Sequence, residues 1–370
     1  MTSSIAYDEL ELLDTEDDRD LRSSVAGLLA DRCPAGAVAA IYDGDRAVVG
    51  PLWQALAGDL GLAALLVPED CGGAGATARE AAIVLEELGR TAAPVPYLTS
   101  AVVAATTLSH APTDAGRELL AGLSDGRRTA ALVIPLTTAF DTPVRAVAAG
   151  VPVRSVAGAL EADTLLVPIA TGDGIELRAV PADRATITPV ISLDMSRQLA
   201  DVTVDAADGA VVVVGDATAA VRAGLLAGTV LLASEQVGIA QWCLTTTVAY
   251  LKERRQFGRI VGGFQALKHR LADLYTSVEG ATATARYAAA ALAADRAAPE
   301  AQIAAHIAAA WCSDVAVLAA EEAVQLHGGL GMTWEHPAHL FLKRAKADQL
   351  ALGLPGHHRA RLGDLVGLTV

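Results

Sequence analysis

The chain has 370 residues, 52% of them hydrophobic, a formal net charge of -15 at neutral pH and a sequence pI near 4.9. That length supports one large core or two to three modules with no need of disulfide or metal staples. Its basic residues are scattered, which excludes nucleic acid and anionic membrane as main partners, because both demand a continuous positive face.

The N-terminus, MTSSIAYDELELLDTEDDRD, is acidic where a signal or transit peptide would be basic. No apolar run reaches bilayer length without a charge or glycine break, so a cytoplasmic location is expected. From Leu10 to about Ser124 apolar residues recur at helical spacing, with breaks near Pro34, Gly50, Pro68, Pro94 and Pro112. This predicts a module of five or six short helices over 1–128. The pattern then changes. TLLVPIA, IELRAV, ATITPVI, ADVTV and AVVVV are short β-branched runs between turn residues, predicting a small β-barrel or sandwich over 129–215.

From Thr218 to Arg254 no proline interrupts the chain, which allows one helix of about 55 Å capped by Asp216 or Thr218. Further helices are predicted over Gly263–Ala294 and Pro299–His327, with shorter ones after Pro337 and Gly356. Residues 216–370 therefore read as a four-helix bundle of long helices. The expected fold class is mainly α with a central β module.

Cys33, Cys71, Cys243 and Cys312 stand far apart in no metal-ligand spacing and are expected as buried reduced thiols. His269, His306 and His327 fall on helical faces without paired spacing, which favours packing over catalysis; no metal site is expected. Trp242, Trp311 and Trp334 are expected as core or interface anchors.

The segment LKERRQFGRI (251–260) crowds four cationic side chains into ten residues of an acidic chain. Guanidinium forks of Arg254, Arg255 and Arg259 suit bidentate contact with phosphate oxygens. A basic cluster at a helix C-terminus equally serves as a solvated complement to the helix dipole. Gln256, Phe257 and Gly258 beside the charges suit a nucleotide better than bulk water.

The module order, together with GLAALLVPEDCGGAG (61–75), VLEELGR (84–90), RRQFGRIVGGFQALKHRLADL and QLHGGLGMTWEHPAHLFLKRAKA, resembles the acyl-CoA dehydrogenase family over nearly the whole chain. The resemblance implies FAD-dependent α,β-dehydrogenation of an acyl-CoA thioester, with an electron-transfer flavoprotein as acceptor. It also implies that Arg254, Gln256 and Phe257 match positions with which one subunit touches the FAD on its neighbour. Gln325, Gly328 and Gly329 match a second set near the adenosine end, where a Cβ would block close backbone passage. His357 and His358, with Arg359 and Arg361, read as a solvated helix start or a contact for a phosphate of coenzyme A.

Two departures accompany the resemblance. The reaction needs a carboxylate base within reach of the proton α to the thioester. At the two positions where the family places it, this chain carries Leu352 and Gly228, so no catalytic residue is expected. The β module has LVIPLTTAFDTPVRAV (132–147) in place of the family's flavin-seating segment, and looks shortened. These departures resemble the non-catalytic subunit of actinobacterial two-subunit enzymes, which are α2β2 heterotetramers acting on steroid side-chain thioesters with FAD at half the sites. That resemblance implies FAD held mainly by a second acyl-CoA dehydrogenase-like subunit. Two alternatives stay open: a self-sufficient homotetramer with Glu235 or Glu279 as relocated base, and a structural paralogue without flavin contact.

Overall fold

The computed structural model describes residues 10–205 and 209–368. Residues 1–9, 206–208 and 369–370, which the sequence assigns to the first, second and third modules, lie outside the described residues. Two helices in the first module begin where a threonine stands three residues ahead of a carboxylate, satisfying orphan N–H groups reciprocally. Thus α1 (Glu16–Arg32) opens on a Thr15–Asp18 capping box. Between them, α2 (Ala35–Ala40) and α3 (Val49–Trp53) are short, and α4 (Ala78–Thr91) opens on a second box, Thr77–Glu80. A wide-turn π-helical stretch, Tyr97–Ala104, leads into α5 (Ala105–Leu108), and α6 (Asp114–Ser124) completes the set.

Seven strands follow: β1 (Ala130–Leu132), β2 (Val153–Ala157), β3 (Thr164–Thr171), β4 (Gly174–Pro181), β5 (Ala185–Val190), β6 (Leu199–Val204) and β7 (Ala210–Val211). One sheet has the order β1-β3-β4-β7, with β1 parallel to β3 and the rest antiparallel; the other is antiparallel, β2-β6-β5. Ala131, Leu165, Val167 and Val180 of the first sheet share one core with Val156 and Val202 of the second, so the module is a sandwich. All five β-branched runs carry strand, whereas β1 and β2 lie in stretches the sequence did not mark.

The last third is helical: α7 (Thr218–Glu253), a hairpin of β8 (Arg255–Gln256) and β9 (Arg259–Ile260), α8 (Gln265–Ala294), α9 (Pro299–Leu326), α10 (Ala338–Leu350) and α11 (Pro355–Leu365). Asp216 accepts the Thr218 N–H (3.2 Å), as the sequence predicts for the start of α7. Helices α7 and α9 are long and apolar enough to cross a bilayer by length and composition, but 94% and 67% of their apolar windows are buried inside the protein. Their hydrophobicity serves helix packing. Where α4 crosses α7 the backbones touch: a Cβ on Gly89 would lie 2.1 Å from the Glu235 carbonyl oxygen, and one on Gly238 would lie 1.9 Å from that of Glu86.

Candidate functional site

The two positions at which a carboxylate base is expected lie side by side. A Cβ built on Gly228 of α7 would stand 3.2 Å from Leu352 Cδ1 and 2.8 Å from Val103 Cγ2. Leu352 is buried in the turn after α10, in left-handed backbone (φ 53°), and Gly353 follows at φ 107°. Its N–H donates to the Leu136 carbonyl (2.7 Å), and the Leu136 N–H donates to Ser155 (3.0 Å) at the bulge in β2. The turn is thereby tied to the sandwich through the segment that follows β1. Leu352, Val103 and Leu136, with Leu98, Thr99, Ile134 and Leu225, line a partly open hollow of about 30 Å³. Thr99 is the one polar residue lining it, and nothing in that lining accepts a proton at neutral pH.

Glu235, one alternative base, is 1% exposed on α7 and belongs to a buried ion cluster. Arg197 Nη2 reaches both its oxygens (2.6 and 2.5 Å), and Arg344 Nη1 reaches the first (2.6 Å). Arg344, itself fully enclosed on α10, also binds Asp194 and Ser196 in the loop between β5 and β6. Burial alone pushes the Glu235 carboxyl up, but the two guanidinium groups outweigh it and hold it below the usual carboxylate range. A carboxylate so committed is a clamp between α7, α10 and the sandwich, not a base; the relocated-base reading of Glu235 fails on this geometry. Asp348, one turn beyond Arg344, behaves oppositely: burial raises its carboxyl well above the ordinary value, with Glu235 adding to the effect against the pull of Arg197. Glu279 lies exposed on α8 and takes no part in lining the hollow.

The basic segment emerges as a hairpin on the surface. Arg254 ends α7: its N–H donates to Tyr250 (2.9 Å) and its carbonyl accepts from Val261 (2.8 Å). Phe257 and Gly258 close β8 onto β9 with φ of 51° and 73°, both positive as a type I′ turn requires. A non-glycine residue in that region costs about 1 kcal/mol, and here it holds Phe257 88% exposed. Arg254, Arg255 and Gln256 are exposed beside it. Arg259 departs from expectation. Its guanidinium donates to the Gly263 carbonyl (2.9 Å) and lies over the Phe264 ring (4.4 Å), so it braces the hairpin from within.

Gln325, near the end of α9, and Gly328 and Gly329 in the following turn are also exposed. His327 stacks on Tyr250 (4.5 Å), so this second set and Arg254 occupy adjoining helix ends. The histidine pair departs further from its expected solvated state. His358 is buried, 2.9 Å from His306 between Nδ1 atoms, and its Nε2 is 3.1 Å from the Leu352 carbonyl. Burial lowers the His358 pKa to about 4, with His306 and His357 adding to it. His357 and Arg361 instead bind Asp141 (2.8 Å each). Sequence reasoning missed both this support under Leu352 and the Arg344 cluster; each joins residues more than 50 positions apart. All four cysteines are buried free thiols, as expected. Trp242 stacks on Phe341 (3.6 Å), while Trp311 and Trp334 are substantially exposed.

The chain matches the family models "Acyl-CoA dehydrogenase, N-terminal domain" over residues 15–127 and "Acyl-CoA dehydrogenase, C-terminal domain" over 217–364. It is 36% identical to acyl-CoA dehydrogenase IpdE2 of Mycobacterium tuberculosis over 347 residues, 94% of this chain and 96% of that one. Its fold is similar to a chain of the ChsE4-ChsE5 complex from Mycobacterium tuberculosis, with a TM-score of 0.84 and 27% identity over 98% of this chain and 100% of that one. It is likewise similar to a chain of the Tcur3481-Tcur3483 steroid ACAD, with a TM-score of 0.82 and 29% identity over 95% and 98% of the two chains. With the helical–β–helical order, the signature segments and full-length relatives in agreement, the chain belongs to the acyl-CoA dehydrogenase family of oxidoreductases.

Proposed function

We propose that this chain is the non-catalytic, flavin-supporting subunit of a heteromeric acyl-CoA dehydrogenase, an α2β2 assembly that oxidises a steroid side-chain CoA thioester in the cytoplasm. The observation that carries the reading is that Leu352 and Gly228, the two positions expected to carry the base, abut each other beside a hollow lined, Thr99 apart, by aliphatic side chains. A space of about 30 Å³ with one hydroxyl does not fit the tricyclic, hydrogen-bonding ring of FAD, and no step of catalysis is assigned to it. The exposed hairpin suits a different role. Arg254, Gln256 and Phe257 present a cation, an amide and an aromatic face to whatever docks there, and Gln325, Gly328 and Gly329 extend that surface. In this reading the FAD and the base belong to a second acyl-CoA dehydrogenase-like subunit, and an electron-transfer flavoprotein takes the electrons.

Two further facts support the assembly. Trp311 and Leu318 are exposed seven residues apart on α9, with Met332 and Trp334 beyond its end, an apolar surface of the kind that subunit contacts cover. The steroid assignment draws on the heteromeric neighbours and their printed description. In a co-expressed two-chain complex, Arg254→Ala should weaken flavin retention about tenfold or more, since a charge-assisted hydrogen bond contributes about 1.5–3 kcal/mol. Unchanged retention, read by flavin absorbance after dialysis, would favour the structural paralogue.

A further inference from the structure

A larger cavity than the Leu352 hollow opens on another face of α7, and the two share no lining residue. Its volume is about 300 Å³, at the lower end of small-molecule pockets. The walls are mostly small aliphatic side chains, Ala223, Ala227 and Leu231 of α7 and Leu292 at the end of α8, with Thr106 of α5 among them. They are also unfilled, because α7 presents alanines where a leucine would close the space. The mouth is polar. Thr77, the cap of α4, lines it, as does Arg296, whose exposed guanidinium makes no ion pair among the described residues. Asp295 shares that rim, but its carboxylate is turned onto its own chain and accepts the Ala297 N–H (2.8 Å).

A pocket walled mainly by small aliphatic side chains, with a guanidinium free of ion pairs among the described residues at its entrance, suits an aliphatic ligand with an anionic end. We propose that this cavity is a second small-molecule site, separate from the hollow at Leu352, that takes a medium-chain aliphatic carboxylate with its chain along α7 and its anionic end at Arg296. The inference does not depend on whether this chain is catalytic.

Calorimetric titration of the full chain with hexanoate, octanoate and decanoate tests it. Affinity should rise about fourfold per methylene until the cavity is full, the factor that 0.8 kcal/mol per buried CH₂ gives. Ala223→Leu should abolish binding by filling the space, and Arg296→Ala, a surface change that leaves the fold intact, should weaken octanoate about tenfold or more. No heat at millimolar octanoate, octylamine binding as tightly as octanoate, or wild-type affinity in Arg296→Ala would each overturn the proposal.

Discussion

At the scale of single residues, the site turns on what Leu352 and Glu235 are surrounded by. Leu352 lines the hollow with Val103 beside position 228, and the one polar side chain there, Thr99, already donates to the Pro96 carbonyl (3.3 Å). Restoring a carboxylate there is therefore expected to cost stability. Leu352→Glu should lower the unfolding free energy by about 3 kcal/mol or more, because an ionised group loses water and gains no hydrogen bond. A urea titration showing unchanged stability would mean that the carboxylate reaches solvent through the hollow. Glu235 and Asp348 give a sharper contrast, being equally buried but oppositely shifted. Glu235→Gln leaves Arg197 and Arg344 short of a countercharge and should cost about 3–5 kcal/mol. Asp348→Asn removes a carboxyl that burial already pushes well above its ordinary range, and should lower the thermal midpoint much less than Glu235→Gln does. Equal losses in the two variants would mean that Asp348 is ionised in the fold.

Elements show which features the sequence discloses and which it hides. Helix starts are local events, so Asp216 before α7 and Pro299 at the head of α9 were legible from neighbours a few residues apart, whereas the Thr15 and Thr77 boxes, equally local, came to light in the structure. Five strands announced themselves through β-branched runs. By contrast, β1 is an alanine-rich triplet paired in parallel with β3, and β2 is broken by a bulge at Ser155, so neither carries a period-two pattern. The basic hairpin was visible as composition, but not the inward turn of Arg259 onto Phe264, which depends on the backbone of the next turn. The α4–α7 crossing yields a prediction at this scale. Gly238→Ala puts a methyl group into the Glu86 carbonyl and must separate two buried helices. Overpacking of this kind costs about 1–3 kcal/mol, and calorimetry should record a lower midpoint; an unchanged midpoint would mean that the two helices slide apart freely.

For the whole molecule, the same folding pattern serves two ends. Helices α7 and α10 and the sandwich are locked together by Arg344, Asp194, Glu235 and Arg197, a contact set scattered over more than 140 residues of chain and invisible to any spacing rule. That lock fixes the scaffold in which Leu352 is buried, while the hairpin and the end of α9 carry their polar and aromatic groups outward. Motif matching could locate these outward groups; only the packing of Gly228 against Leu352 shows that the two missing carboxylates concern one and the same space. The account predicts a division of labour between unlike chains, one holding the flavin and the other steadying it. The most direct measurement is the ratio of flavin to protein chains in the complex purified with its partner, by absorbance and native mass spectrometry. One flavin for every two chains, with none retained by this chain alone, is the predicted result; one flavin on every chain, or a flavin reduced by acyl-CoA on this chain alone, would contradict it.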